Sequence, residues 1–332
     1  MKPDISILLP FFDTDNTLTK SIESMLEQSY KKFELLLLDT QTMETNRSVV
    51  NAYASQDPRI RLLSTPIKSY VDALNEGINA CRGKYIAHMG VDDISHPERL
   101  EKQRYFLEKN KEYDLVGCCV NYINDDDMQF RSFESIKWSN RIISYEDICL
   151  NRFIETPLIH STVMYRKKLT GKYEMYRAGD FPEDYELWLR LLDNGIKMCK
   201  LPEALIDWKD SPTRLSLIHE KTSTYAFYEI KTLYLFNWLK INNPFHPKVI
   251  VWGAGRFARQ RFSLLHDLGI EPKFFIDLRS NPEYKVIEYT RTPPAGHNFI
   301  VSYVSNPEAR GKNREFLVGL GYSEGKDFIC IA

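Results

Sequence analysis

Over the first 90 residues the apolar positions fall in blocks. "ISILLPFF" (5–12), "FELLLLD" (33–39), "RIRLLS" (59–64) and "KYIAHM" (84–89) are short, nearly continuous apolar runs and read as strands. Between them the spacing turns helical. Leu18, Ile22, Met25 and Leu26 fall at i, i+4, i+7 and i+8; Leu74, Gly77, Ile78 and Cys81 fall at i, i+3, i+4 and i+7. Apolar strands joined by helices predict a mostly parallel sheet covered on both faces. Ligands of such sheets bind beyond the carboxyl ends of the strands. Asp13, Asp39 and the adjacent Asp92 and Asp93 all follow strand ends, so the pattern lines carboxylates along one edge.

From about 113 to 210 the alternation loosens. An apolar run, "YDLVGCCVNYI", is followed by a helix near 144–154, a short strand around "STVMYR", a helix at 183–195 and a strand at 196–208. Residues 216–240 read as one long helix, and "INNPFHP" (241–247) as a linking loop. A fresh strand–turn–helix begins at Lys248. The expected organisation is a first domain over 1–215, a helical connector over 216–247 and a small α/β domain over 248–332.

Composition narrows the classes. A chain of 332 residues suits two domains. A net charge of -1 gives no global field to attract nucleic acid or acidic lipid. The six cysteines include no C-x-x-C pair, which removes the usual zinc and thioredoxin spacings and suggests reduced, mostly buried thiols in a cytoplasmic protein. "MKPDISILLPFFD" carries a charge and too short an apolar run for a signal peptide, and no apolar stretch approaches the roughly 20 residues of a membrane span.

"GVDDISHPERL" (90–100) holds the first candidate chemistry. Ser95 with Glu98 has the form of a capping box, with Pro97 in the first helical turn, which places Asp92 and Asp93 in a tight strand-to-helix turn. Aspartate is common in solvated turns. Two acids at a strand end can also hold a divalent cation, whose remaining positions go to water or phosphate. A second acid tips the weighing. In "GDFPEDYELWLRLLDNG" (179–195) Asp180 and Glu183 read as a cap pair. Asp184, Leu187, Trp188 and Leu191 form an i, i+3, i+4, i+7 stripe, so Asp184 shares the apolar face. It is either an acid favoured by the helix dipole or a general base facing a cleft.

Together these stretches resemble a family 2 glycosyltransferase of the GT-A fold over about residues 4 to 216. The opening segment to Asp39 is similar to the family's first strand, helix and second strand. "ALNEGINACRGKYIAHMGVDDISHPERLEKQ" resembles the region of its metal-binding D-x-D motif, and "EDYELWLRLL" its E-D motif. The resemblance implies Asp92 as ligand of Mn2+ or Mg2+, Asp184 as catalytic base, and Phe12, Asp13, Asp39, Asn75 and Asp93 around a nucleotide-sugar, with uridine as nucleoside. Arg214, in "DWKDSPTRLS", would hold a phosphate through its forked donors, unless the stretch is only a surface turn. His160 faces the acceptor or is a core histidine. The sequence departs from the pattern at Gly90, in place of the first acid of D-x-D, and at Thr40, in place of the second acid after strand two. The implied reaction is an inverting transfer of a sugar from a nucleotide-diphosphate donor to a hydroxyl of a glycan, lipid-linked or other acceptor.

"KVIVWGAGRFARQRFSLLHDLGI" (248–270) fits G-x-G-x-x-A through Gly253, Gly255 and Ala258, and Asp277 closes the next strand. This predicts a small Rossmann-like domain. A bound nucleotide at Gly253, Gly255 and Asp277 and a purely structural appendage both remain open. The domain order is similar to bacterial glycosyltransferases with such a tail, and also to the animal enzyme that galactosylates queuosine in transfer RNA. An RNA acceptor calls for a basic face, and "YRKKLTGK" (165–172) is the one local candidate. The aromatic helix over 224–240 reads as packing between domains, or as a peripheral membrane contact. Two competing functions are a nicotinamide-dependent oxidoreductase, which leaves Asp92, Asp93 and Asp184 unexplained, and a non-catalytic nucleotide-sugar binder, motivated by Gly90 and Thr40.

Overall fold

The computed structural model describes residues 2–11, 17–40, 44–63, 69–123, 130–209 and 224–332. The chain divides into two units, Met1–Tyr145 with Leu158–Thr222, and Glu146–Pro157 with Ser223–Ala332.

The first unit begins with β1 (Ile5–Phe11), α1 (Thr17–Leu26), β2 (Phe33–Asp39), α2 (Glu44–Gln56), β3 (Ile60–Leu63), α3 (Tyr70–Ala80) and β4 (Tyr85–His88). Then follow β5 (Ile94–Ser95), α4 (Arg99–Lys109), β6 (Leu115–Ile123) and α5 (Phe130–Ser139). After α6 (Tyr145–Asn151), which from Glu146 onward belongs to the second unit, come β7 (Met164–Arg166), α7 (Glu183–Asp193) and β8 (Met198–Lys209). The strand order is β3-β2-β1-β4-β7-β6-β8-β5. Strands β1, β2, β3, β4, β6 and β8 run one way, and β5 and β7 run against them. The expected mostly parallel sheet is therefore present. Every residue of β1 and β2 is buried, and each buried leucine contributes about 1.5–3 kcal/mol. Glu34 is a buried acid inside β2. It is matched by Ser6 Oγ at 2.6 Å, the Arg82 N–H at 2.7 Å and Arg61 Nη1 at 2.6 Å, which a buried carboxylate requires.

Two expected caps are absent. Helix α4 is capped at Glu98 without a side-chain bond. Ser95 is drawn into β5 by pairing with Ile206 of β8, and its hydroxyl accepts from Gln28 Nε2 at 3.1 Å. Capping passes instead to Gln28 at the end of α1, whose Oε1 accepts from the Leu100 N–H at 3.0 Å. Helix α7 starts after Pro182, also without a side-chain cap. Asp180 does not bond to it; the carboxylate used at this end is Asp184, which accepts from its neighbour Tyr185 N–H at 2.8 Å.

In the second unit β9 (Lys248–Trp252), β10 (Glu271–Asp277), β11 (Val286–Glu288), β12 (Ile300–Ser302) and β13 (Phe328–Cys330) form a fully parallel sheet of order β11-β10-β9-β12-β13. This is the doubly wound order, reversing between β9 and β12. Its helices are α8 (Thr224–Asn242), α9 (Arg256–Asp267) and α10 (Pro307–Gly319). Helix α8 runs into the expected loop, ending at Asn242, and packs within this unit: Trp238 meets Phe153 and Phe299 edge-on at 6.1 and 5.9 Å. Residues 146–157, read from sequence as part of the first domain, also belong here. Asn151 Oδ1 accepts from Arg314 Nη2 at 3.0 Å, and Ile154 O from Lys231 Nζ at 3.2 Å. None of the six cysteines forms a disulfide, and all but Cys149 are buried. Among the described residues no helix is long and apolar enough to cross a membrane.

Candidate active site

Strand β4 ends at His88, and the chain passes through Met89, Gly90 and a turn at Val91–Asp92 into β5. This puts Asp92 and Asp93 at the carboxyl edge of the parallel strands. Asp92 keeps 8% exposure, and its Oδ1 accepts from Thr17 Oγ1 at 2.9 Å. Asp93 is fully buried. Its N–H donates to Gly90 O at 3.3 Å, and its carboxylate folds back over Gly90. A Cβ on Gly90 would lie 2.5 Å from Asp93 Oδ2 and 3.0 Å from its Cγ. Glycine at 90 is thus the room that Asp93 needs, rather than simply a missing acid. Behind the pair, fully buried Arg99 donates to His88 O at 2.7 Å, Ser161 O at 2.8 Å and Gln103 Oε1 at 3.1 Å. The Asp93 carboxylate lies close enough for its charge to act on this guanidinium.

At the end of β2, buried Asp39 pairs with Arg47 Nη2 at 3.1 Å. Thr40 is used structurally: its hydroxyl donates to Phe11 O at 2.7 Å and its N–H to the same carbonyl at 3.0 Å, tying β2 to β1. The Asn75 amide brackets Tyr176, donating to its carbonyl at 2.9 Å and accepting from its N–H at 3.1 Å. Phe12, Asp13 and Arg214 lie outside the described residues.

Tyr176 links the remaining parts. Its hydroxyl lies 2.6 Å from His160 Nε2 and 3.1 Å from His88 Nε2, and the two imidazole rings are 4.3 Å apart. Burial pushes His160 down to about 4, and burial, His160 and Arg99 push His88 well below the usual histidine range. Both rings are therefore neutral near pH 7. The Tyr176 phenol also feels the negative charge of Asp184 and Glu183, so α7 brings its first turn to this cluster. Asp184 as a residue is half-buried. Burial first, then Glu183, raise its pKa to about 7, against the pull of the Tyr185 N–H. A carboxylate poised there can take a proton at neutral pH.

Among the described residues no group of three His, Cys, Asp or Glu side chains could hold a metal ion on its own. The edge offers the hard carboxylate oxygens of Asp92 and Asp93. That donor set fits Mg2+ or Mn2+ when phosphate and water complete the sphere. Sequence reasoning missed Arg99, His88, Tyr176 and Thr17. The one available signal was a histidine inside an otherwise apolar strand, "YIAH".

In the second unit Gly253 has φ +109° and its missing Cβ would lie 3.3 Å from that of Ala258. Gly255 precedes α9. Asp277 accepts from the Ala254 and Leu278 N–H groups, each at 2.7 Å, so its carboxylate closes the glycine turn.

The family model for glycosyl transferase family 2 matches residues 6–173, just over half of the chain. The chain is 33% identical over 209 residues to a putative glycosyltransferase, EpsE, of Bacillus subtilis, covering 61% of this chain and 72% of that protein. It is 28% identical over 248 residues to the O-antigen biosynthesis glycosyltransferase WbnJ of Escherichia coli, covering 71% and 89%. Among solved structures it resembles S. aureus TarS 1-349 in complex with UDP-GlcNAc, with TM-score 0.54, 14% identity and coverage of 80% and 71%. It also resembles the mannosyltransferase PcManGT of Pyrobaculum calidifontis in complex with GDP-Man and Mn2+, with TM-score 0.51, 13% identity and coverage of 80% and 69%.

Proposed function

The chain belongs to glycosyl transferase family 2, and from that premise we propose an inverting, metal-dependent transfer of a sugar from a nucleotide-diphosphate donor to an acceptor hydroxyl. Its fold is GT-A and it is a glycosyltransferase. The observation that carries the mechanistic reading is Asp184. It stands at the first turn of α7, with a pKa of about 7, beside a neutral His–Tyr cluster that reaches the end of β4. Asp184 takes the proton of the acceptor hydroxyl as its oxygen attacks the anomeric carbon from the face opposite the leaving diphosphate. A single displacement of this kind inverts the configuration.

Asp92, with Asp93 beside it, would hold Mn2+ or Mg2+, and the ion would supply positive charge to the leaving diphosphate. Thr17 holds Asp92 by a hydrogen bond, and the Arg99 guanidinium lies near enough to Asp93 for the two charges to interact. Asn75 acts by holding the Tyr176 backbone in place. Phe12, Asp13, Asp39 and Arg214 are assigned to the nucleotide-sugar. UDP is the first nucleotide to test, since TarS 1-349 was solved with UDP-GlcNAc. Surface glycan assembly at the cytoplasmic side of a bacterial membrane is the setting suggested by the O-antigen relative.

A thermal-shift panel of UDP, GDP, CDP and NAD, each with and without Mn2+, tests the reading. A ligand held only by the folded state at 100 times its Kd adds about 2.7 kcal/mol. A UDP shift that needs Mn2+ and disappears in Asp92→Asn is expected. A shift with NAD alone, removed by substituting Gly255, would move the activity to the second unit and overturn it.

A further inference from the structure

A groove of about 450 Å³ lies between β6 and α5, away from the donor acids but on the same edge of the same sheet. Its wall is an aromatic corner. Tyr122 lies over Trp208 at 5.8 Å and meets Phe133 edge-on at 5.5 Å. Trp208 is buried beneath, while Phe133 keeps 41% exposure. The Tyr122 ring is thus held from behind and from one side before any ligand arrives. At the rim stand Lys137 and Arg141, both exposed hydrogen-bond donors.

The register locates the groove relative to the chemistry. Ile94, the residue after Asp93, pairs with Asp207 of β8, and Asp207 pairs with Asn121 of β6. The Asn121 amide donates to Asp207 Oδ1 at 2.9 Å, which fixes that row. Two strand spacings, about 10 Å, therefore separate the Asp93–Ile94 turn from the groove. The volume falls within the range of small-molecule sites. An aromatic face flanked by hydrogen-bond donors suits a ring that is apolar on one side and carries hydroxyls around its edge. A preformed corner also lowers the ordering cost of binding.

We propose that this groove is an acceptor subsite and that it holds a pyranose ring of a glycan against Tyr122 and Phe133. The assignment rests on the transferase reading above and adds the class of acceptor to it. The hydroxyl that reacts belongs to a sugar that extends from this ring toward Asp92 and Asp184. Lys137 and Arg141 take the hydroxyls at the rim.

Saturation-transfer NMR on the full chain, with the methyl pyranosides of glucose, galactose, mannose and glucuronic acid, decides it. At least one pyranoside should receive saturation at its ring C–H protons. The signal should survive in Asp184→Asn and disappear in Tyr122→Ala. Should Tyr122→Ala fail to fold, Phe133→Ala replaces it, with a signal weakened at least threefold. No saturation of any of the four, or a signal unchanged by the aromatic substitution, overturns the subsite. The UDP and Mn2+ melting shift, read on the same samples, separates the two ideas. A UDP shift without pyranoside contact removes the subsite alone. Pyranoside contact without a UDP shift removes the transferase reading.

Discussion

At the scale of single residues Asp184 makes the sharpest claim. In the proposed role of base Asp184 works only when ionised, and burial with Glu183 raises its pKa to about 7, which puts its titration in the neutral range. The expected kcat/KM falls about tenfold per pH unit below that value and levels off above it. Asp184→Asn should lose about 10²–10⁴ in rate and flatten this limb while donor binding persists. Stability carries the same signature. The folded state holds the Asp184 proton more tightly than the unfolded chain does, so stability falls as pH rises from the ordinary carboxylate range through about 7. The melting temperature of Asp184→Asn should therefore gain on that of the parent between pH 5 and pH 8. A gap that stays constant would mean that Asp184 titrates as an ordinary carboxylate. Asp184 could be read from the sequence because an acid on an apolar helical stripe is costly and so conspicuous. His88, Tyr176 and Arg99 were not legible: His88 meets Tyr176 across 88 positions of chain, and Arg99 meets Ser161 across 62. No local pattern encodes such pairs.

At the scale of elements the strands were legible, and so was the start of α7, but the capping bonds were not. Continuous apolar runs gave β1 and β2 almost to the residue, because each strand is buried on both faces. The two proposed caps failed because capping competes with other partners. Ser95 joined a strand, and the capping bond came from Gln28, just past the end of α1. The turn between β4 and β5 shows the same competition over space. Position 90 looks like a site that has lost an acid, yet the Asp93 carboxylate fills the room that its side chain would need. Gly90→Asp should therefore not restore a stronger metal site. The expected outcome is a loss of about 1–3 kcal/mol from overpacking, together with Mn2+ affinity that is weaker or unchanged by titration calorimetry. Tighter Mn2+ binding at full stability would show that Asp93 moves aside without cost, and that the site has two interchangeable acids.

At the scale of the whole molecule the glycine turn after β9 announced a second α/β unit, because a strand, a G-x-G-x-x-A turn and a helix are contiguous in sequence. The outlying piece of that unit was hidden. Residues 146–157 sit between two stretches of the first unit in the chain, and their partners Trp238 and Arg314 arrive much later. Phe153 is fully buried with Trp238 against it, and Trp238 in turn meets Phe299. The Arg152 guanidinium lies 4.8 Å over the Phe153 ring. The segment is thus ordered by residues that a fragment ending at 222 would lack. Hydrogen exchange tests this directly. In the full chain the amides of 146–157 should be protected like the core of the second unit. In the fragment they should exchange at the rate of an open loop, while the amides of β1 and β2 remain protected. Equal protection of 146–157 in both would mean that the first unit orders this segment by itself. The boundary between the units would then follow the chain more simply than the packing of Phe153 and Asn151 requires.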